Sequence, residues 1–254
     1  MNLIWILAKN VWLEQFRNRF FHLIWMFGGV LLYASFLLGV LAVEQELRVL
    51  QDIGLALIEL LTLGAAVFVA ANSILKEMEL KTIYLILARP VPRGAYLLGR
   101  FLGLQFSVGT AALLMALLHV SLLLFRGWHG EPAYVFALGG ILAKVFLMTA
   151  LTFLLSLLST SVLSALSMTS ICWLLGHFAP ELRILAGKSV GTTGALLAAV
   201  RWLLPDLQAF NLRDAWPPGG TLSWSGPAWA AVYLLLYSGA CLAFAYGMFR
   251  RREF

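Results

Sequence analysis

Residues 77–103 read EMELKTIYLILARPVPRGAYLLGRFLG, a charged stretch broken by prolines that lies between two long apolar runs. Its charged side chains are Glu77, Glu79, Lys81, Arg89, Arg93 and Arg100. Because hydrocarbon does not accommodate so many charges, this stretch must lie at a boundary with water. There it presents a structured surface with charges of both signs, which predicts that another molecule docks on it.

The composition is that of an integral membrane protein. Hydrophobic residues make up 61% of the chain and charged residues 12%, and the mean hydropathy is +0.89. A helix of about 20 apolar residues crosses about 30 Å of hydrocarbon. The sequence therefore predicts an all-α polytopic membrane protein that forms one transmembrane domain over residues 1–254. Six windows are apolar enough to be transmembrane helices, at roughly 21–43, 52–75, 95–125, 133–158, 161–180 and 227–249.

The distribution of basic residues predicts how the chain is oriented. If both termini are cytoplasmic, most of the 18 Lys and Arg residues lie on the cytoplasmic side. These are Lys9, Arg17, Arg19, Lys76, Lys81, Arg89, Arg93, Arg100, Arg250, Arg251 and Arg252. We therefore expect a multi-pass protein of a bacterial or archaeal cytoplasmic (inner) membrane. The net charge of +6 then reflects orientation in the membrane and gives no reason to expect nucleic acid as a partner.

Residues 1–20 interleave aromatic and aliphatic side chains with charged and amide side chains at helical spacing. This pattern predicts an N-terminal amphipathic interfacial helix that contacts membrane lipid. The alternative is a simple charged leader before the first transmembrane helix.

Between the fifth and sixth windows lies a long insert, residues 181–226. Its part from Ser189 to Leu204 is apolar for about sixteen positions, which is short for a membrane crossing. Counting it as a seventh crossing would also place Arg250, Arg251 and Arg252 on the outer side, against the charge bias. The insert is therefore predicted to be an external helix or a re-entrant helical hairpin that ends at Pro205 and Asp206.

The charged stretch itself has the pattern of a short helix followed by a turn. Glu77 and Lys81 are spaced i, i+4, and Pro90 and Pro92 end the helix because proline lacks an amide hydrogen. Residues 76–94 are thus predicted to lie parallel to the membrane on its cytoplasmic side. They could be a lever pushed by a cytoplasmic motor, or an ordinary loop.

This stretch resembles the signature of the membrane (permease) subunits of type-2 ABC exporters. The positions that carry the resemblance are Glu77, Glu79, Thr82, Arg89, Pro90, Val91, Pro92, Arg93, Tyr96, Leu97, Leu98, Gly99, Arg100 and Gly103. The likeness covers most of the chain. It includes the amphipathic entry helix, six transmembrane helices, a serine-rich turn at 156–170, the external insert and an arginine-rich tail at 249–254.

The resemblance implies a permease subunit that exports an unidentified substrate with ATP hydrolysed by separate cytoplasmic ABC ATPase subunits. It implies a homodimer or a pairing with a related permease, and a coupling helix over residues 76–93. ATP and Mg would be bound by the partner, and no cofactor by this chain. The residues that would contact the ATPase are Glu77, Glu79, Lys81, Thr82, Arg89, Pro90, Pro92 and Arg93. Lipid, polysaccharide, peptide, drug and sulfur- or metal-related cargo all remain open.

No motif for catalysis or metal binding is present in the sequence. Gly187, Lys188 and Ser189 supply the tail of a phosphate-binding loop, but Leu182 stands where its first glycine should be. The four histidines and two cysteines are scattered, and no nucleophile elbow or zinc motif occurs. We therefore expect neither a catalytic site nor a metal site, and the chain is predicted not to be an enzyme.

Two ionisable residues, Glu59 and Lys144, lie at similar depths within predicted transmembrane helices. An unpaired charge at the bilayer centre costs at least about 2.5–3.5 kcal/mol on insertion scales. The residues leave three alternatives open: the two side chains contact each other, they line a water-filled translocation path, or they lie near the outer interface.

Small residues predict where helices approach each other closely. Gly99 and Gly103 are spaced by four, and a run of serine and threonine residues bridges the fourth and fifth windows. Both patterns are typical of close helix packing, although the hydroxyl groups could instead face cargo.

Two rival functions remain for the chain. One is an ion- or proton-coupled secondary transporter that uses Glu59 and Lys144. The other is a non-transporting, force-transmitting membrane anchor that recruits an ATPase to act on a periplasmic or envelope partner through the insert at 181–226.

Overall fold

The computed structural model describes residues 3–18, 22, 26, 28–34, 36–37, 46–79, 92–189, 191–212 and 224–251. All regular secondary structure in these ranges is helical, which confirms the predicted all-α class. The helices are α1 (Leu3–Arg17), α2 (Glu46–Glu79), α3 (Arg93–Phe125), α4 (Pro132–Leu158), α5 (Val162–His177), α6 (Ala179–Lys188), α7 (Thr192–Leu203) and α8 (Ser225–Arg251), with one 3-10 turn at Gln208–Phe210.

Among the described residues, four helices are long and apolar enough to cross a membrane. They are Leu47–Lys76, Arg93–Phe125, Pro132–Leu158 and Ser225–Arg251. They coincide with four of the six predicted windows, so the chain is a multi-pass membrane protein. About half of the window at 21–43 lies outside the described residues, and the total of six crossings stays a prediction.

The predicted window at 161–180 folds differently from the other four. The helix α5 has 16 residues, which corresponds to about 24 Å and is shorter than the hydrocarbon core. It ends at His177, and α6 begins two residues later at an angle of 67° to it. Pro180 stands in the first turn of α6, where its missing amide hydrogen costs nothing. The two helices together are one broken crossing or a re-entrant loop.

The helix α3 runs antiparallel to α2, α4 and α8, and the bundle has two distinct ends. At the loop end, α2 stops at Glu79 and α3 begins at Arg93, and α8 ends at Arg251. At the insert end, α5 leads into α6 and α7, which pack against each other as a hairpin. A location outside the membrane for this hairpin stays a prediction.

The helix α4 forms the centre of the bundle and packs against α2, α3, α5 and α8. Its Phe153 is fully buried and, with Phe146, meets the Phe101 ring of α3 edge to face at centroid distances of 5.6 and 5.0 Å. In contrast, α8 exposes Leu235, Leu236 and other large apolar side chains. In a membrane, lipid can cover exposed apolar side chains such as these.

The N-terminal helix α1 packs tightly on the first half of α3. A Cβ atom at Gly99 would lie 2.7 Å from Leu7 Cβ, and one at Gly103 would lie 2.5 Å from the Ala8 carbonyl oxygen. These glycines therefore let the two backbones approach closely, as the sequence predicts. The side chains of Trp5 and Leu13 on α1 are exposed. The helix predicted at the start of the chain is present, and its place at the membrane interface stays a prediction.

Candidate functional site

Four of the eight predicted ATPase contacts are among the described residues, and they lie at the loop end of the bundle. Glu77 and Glu79 belong to the last turn of α2, which continues without a break to Glu79. Pro92 immediately precedes α3 in extended conformation (φ −60°, ψ 131°), and its carbonyl accepts the Tyr96 amide at 3.1 Å. Arg93 is the first residue of α3. The remaining predicted contacts, Lys81, Thr82, Arg89 and Pro90, lie outside the described residues.

Arg93 connects the start of α3 to the end of α8. Its Nη1 donates to the carbonyl oxygens of Phe249 at 3.3 Å and Arg250 at 2.9 Å. The last four carbonyl groups of a helix lack partners within the helix, and a cation there also meets the negative end of the helix dipole. The stacked rings of Tyr96 and Phe249, 5.9 Å apart, strengthen the same junction. The side chain predicted to contact an ATPase thus also holds two helix ends of its own chain together.

A second arginine clamps α2 to α3 near the same end. Arg100 is buried, and it donates from Nε to Ser73 Oγ at 2.5 Å and from Nη2 to the Ser73 carbonyl at 3.3 Å. A buried guanidinium in a membrane helix requires partners of this kind. Arg100 belongs to the signature, but no sequence pattern indicates its partner, because Ser73 lies 27 positions earlier.

At the insert end, the two intramembrane charges contact each other. Lys144 Nζ lies 2.8 Å from Glu59 Oε1, so the first of the three alternatives is present. The same ammonium group donates to Asn211 Oδ1 at 2.7 Å. His177 Nε2 is 3.7 Å from the Glu59 oxygen. The Lys144 side chain is almost completely buried, and its two oxygen partners replace the water it has lost.

Residues 203–212, which we call the plug, return from α7 into the bundle at this end. Leu204, Leu207 and Phe210 are buried there. Glycines on α4 and α5 make room for the plug backbone. A Cβ at Gly140 would collide with the Phe210 carbonyl, and one at Gly176 would lie 2.7 Å from the Pro205 carbonyl.

Hydrogen bonds attach the plug to several helices. The Leu207 amide donates to the Gly176 carbonyl at 3.2 Å, and Gln208 Nε2 donates to the His177 carbonyl at 3.2 Å. On the other side, the Asp206 amide donates to the Tyr233 hydroxyl at 2.9 Å. The Tyr237 hydroxyl donates to the Leu203 carbonyl at 2.8 Å. Arg183 forms an ion pair with Asp206 at 3.2 Å, and within the plug the Asn211 side chain donates to that of Gln208. The plug therefore bridges α5, α6 and α8, and through Lys144 also α4.

A cleft of about 270 Å³ lies beside the plug, between α2 and α4. Asp52, Glu59 and Lys144 line it from the helices, and Phe210 and Asn211 line it from the plug. A space of this size with charged and apolar walls could hold water or a small part of a cargo molecule.

A buried histidine adds a polar bridge close to the insert end. His119 on α3 is fully buried, with Nδ1 3.0 Å from the Tyr134 hydroxyl of α4 and Nε2 3.2 Å from the Leu50 carbonyl of α2. A Cβ at Gly54 would collide with its ring. These two contacts fix three helices relative to one another, which explains the buried His119 without a catalytic role. Within the described ranges, no group of three or more His, Cys, Asp or Glu side chains is arranged to hold a metal ion.

Sequence reasoning missed Asn211, Gln208 and His177 as members of the polar cluster. Asn211 is 67 positions from Lys144, and Lys144 is 85 positions from Glu59. The available signal was the presence of Asn211 and Gln208 directly after a short apolar helix. It indicates a loop as readily as a buried turn.

Comparison with known proteins finds the family described as "ABC-2 family transporter protein", whose model matches residues 2–254. The chain is also similar to the probable ABC transporter permease protein NosY of Pseudomonas aeruginosa. The two sequences are 26% identical over 289 aligned positions, which cover 99% of this chain and 99% of that protein.

Proposed function

The chain belongs to the ABC-2 family of transporter proteins, and from this membership we propose that it is the permease subunit of an ATP-driven exporter. The family match confirms the resemblance found around residues 77–103, and it agrees with a bundle that has at least four apolar helices of membrane-crossing length among the described residues. Cargo enters from the cytoplasm or the inner leaflet and leaves at the insert end. The energy comes from ATP, bound with Mg by separate cytoplasmic ABC ATPase subunits.

The structural observation that supports coupling to an ATPase is the pair of arginine clamps at the loop end. Arg100 holds α2 to α3, and Arg93, at the end of the proposed coupling segment, holds α3 to α8. A force applied to residues 80–91 would therefore move three transmembrane helices together. An ordinary loop between two helices needs no such fixation of its ends.

The subunit works as a homodimer or paired with a related permease, with both termini in the cytoplasm. The charge distribution supports this orientation, because it places Arg93, Arg100 and Arg250 on the cytoplasmic side of an inner membrane. The eight predicted coupling residues then face the ATPase, and the hairpin of α6 and α7 faces outward.

Photo-crosslinking tests the proposed docking surface. A photoreactive amino acid at Lys81 or Arg89 is expected to form a covalent adduct with an ATPase that carries a phosphate-binding loop. The matched control positions are Arg183 and Lys188, basic residues of α6 at the opposite end of the bundle, where no such adduct is expected. Adducts with the ATPase at Arg183 or Lys188, and none at Lys81 or Arg89, would overturn the proposal.

The rival secondary transporter is less well supported by the geometry of Glu59. A proton- or ion-coupled mechanism needs a carboxylate that is free to bind and release its ion, whereas Glu59 is paired with Lys144 at 2.8 Å. Transport into vesicles by this chain alone, under an ion gradient and without an ATPase, would revive that rival.

The force-transmitting anchor differs from the exporter only in what happens at the insert end. The hairpin exposes Ile184, Leu185 and Leu196, which could contact lipid or an envelope partner. A complex that hydrolyses ATP and moves the hairpin without moving any solute across vesicles would favour this alternative over the exporter.

A further inference from the structure

We propose that the plug, residues 203–212, is a gate that closes the insert end, and that Lys144 latches it through Asn211. This gate deepens the proposed transport function and rests on it, since only a transporter needs an exit that opens.

The plug reaches far into the bundle. Lys144, which binds its Asn211, lies about 18 Å along α4 from Pro132 at about 1.5 Å per residue, nearly half the length of that helix. Irregular backbone at such depth is stable only where protein or water satisfies its polar groups. While the plug lies in the bundle, the hydrogen bonds described above provide partners for its polar groups.

The seated plug prevents the helices around it from separating. Its amide groups at Leu207 and Asp206 bind α5 and α8, respectively. Asn211 binds Lys144 of α4, which in turn binds Glu59 of α2. Outward movement of α4, α5 or α8 at the insert end must therefore break contacts to the plug.

Lys144 is suited to be a latch because it has a second partner. When Asn211 leaves, the ammonium group keeps its contact with the Glu59 carboxylate at 2.8 Å. Releasing the latch therefore costs one charge-assisted hydrogen bond, in addition to the other contacts of the plug, and leaves no unpaired charge in the membrane, which would be far more costly.

Space for the movement is already present. The cleft of about 270 Å³ is lined by plug residues Phe210, Asn211 and Leu212 on one side and by α2 and α4 on the other. The plug can thus shift toward the cleft without crossing the close-packed centre of α4. Asn211, although bonded to Lys144, is itself exposed to this space.

Thiol labelling measures whether the gate is open. Leu207, which is fully buried, is replaced by cysteine in a chain that also carries C172A and C241A. The probe is a hydrophilic maleimide, applied without nucleotide to membranes that contain the chain and its ATPase. Adding N211A should raise the labelling rate by at least about tenfold, the lower limit expected from losing one charge-assisted hydrogen bond.

Two further variants distinguish loss of the contact between Lys144 and Asn211 from general destabilisation of the chain. N72A removes an asparagine side chain that donates to the Phe68 carbonyl at 2.9 Å near the loop end, and it should leave labelling unchanged. N211D keeps an oxygen acceptor for Lys144 and should label as slowly as the parent chain. Equal labelling of the N211A and N72A chains, or fast labelling of the N211D chain, would overturn the latch.

ATP provides the second arm of the experiment. With the ATPase present, ATP should increase labelling of the Leu207→Cys chain, because transport opens the gate. If ATP turns over and labelling does not change, the gate is wrong while the permease function stands. If no ATPase acts on the chain, the proposed function fails, and the nucleotide-free comparison of the N211A and N72A chains still decides whether Lys144 latches the plug.

Discussion

The two ends of this bundle are held together by different chemistry. At the loop end, Arg93 and Arg100 bind carbonyl and hydroxyl groups and join the ends of three helices around a predicted docking segment. At the insert end, an ion pair, an asparagine and a histidine gather around an irregular segment beside an open cleft. This difference fits the two proposals made above, in which the loop end transmits movement as a unit and the insert end rearranges.

The largest effect is expected where a charge would lose its partner. K144M leaves Glu59 without its cation, and breaking a buried ion pair in this way costs about 3–5 kcal/mol. Thermal unfolding in nanodiscs should show this loss. The double variant E59Q/K144M should recover most of the stability because it removes both charges. Equal unfolding temperatures for the K144M and parent chains would show that charge does not hold the insert end.

The loop-end clamp is tested by R100Q. We expect a loss of about 1.5–3 kcal/mol, because a buried charged hydrogen bond to Ser73 is removed. A second measurement, the ATP turnover of the partner ATPase, compares the roles of the two ends of the bundle. R100Q should lower the stimulation of turnover by this chain, whereas E59Q/K144M should leave the stimulation intact. A loss of stimulation in both variants would mean that the two ends do not have separate roles.

Helix packing at the loop end can be disrupted without any change of charge. G103L places a side chain against the Ala8 carbonyl and Val11 Cβ, the latter 2.6 Å from a Cβ at that position. Overpacking of this kind costs about 1–3 kcal/mol, so α1 should detach from α3. The matched control is G109L on the same helix, where a Cβ meets nothing within 4 Å and stability should not change. Protease accessibility of α1 measures the outcome.

The smallest effect is expected for R93Q, which removes a cation from the C-terminal end of α8. The Arg93 contacts are partly exposed, so the loss should be about 0.3–1 kcal/mol. The effect on ATP turnover should be larger than this stability loss suggests, because the link between α3 and α8 is broken. Normal stimulation of turnover by the R93Q chain would remove Arg93 from the set of coupling residues.

The sequence predicted the parts of the fold that depend on local composition. Apolar runs of sufficient length became α2, α3, α4 and α8, and the spacing of Gly99 and Gly103 indicated the close contact with α1. The window at 161–180 predicted a crossing, but its average hydropathy is insensitive to the break at Phe178 and Pro180. A single proline in an apolar window is compatible with one kinked helix or with two separate helices at an angle of 67°.

The polar cluster could be predicted only in part, for a physical reason. A charged residue in a membrane helix must find a partner, so Glu59 and Lys144 stood out as candidates. The third partner, Asn211, comes from a segment that enters the bundle through packing of Leu207 and Phe210. Such long-range packing has no periodic signal in the sequence. Ser73 as the partner of Arg100 was missed for the same reason.

The coupling role of the loop end is tested by reversing its acidic charges. E77K/E79K is compared with E131K/E181K, which reverses two exposed acidic residues at the insert end. For each chain, the insertion into membranes and the ATP turnover of the reconstituted complex with its ATPase are measured. We expect both chains to insert normally, E77K/E79K to abolish the stimulation of ATP turnover, and E131K/E181K to retain it. Full stimulation by the E77K/E79K chain would show that this end does not receive the force of the ATPase.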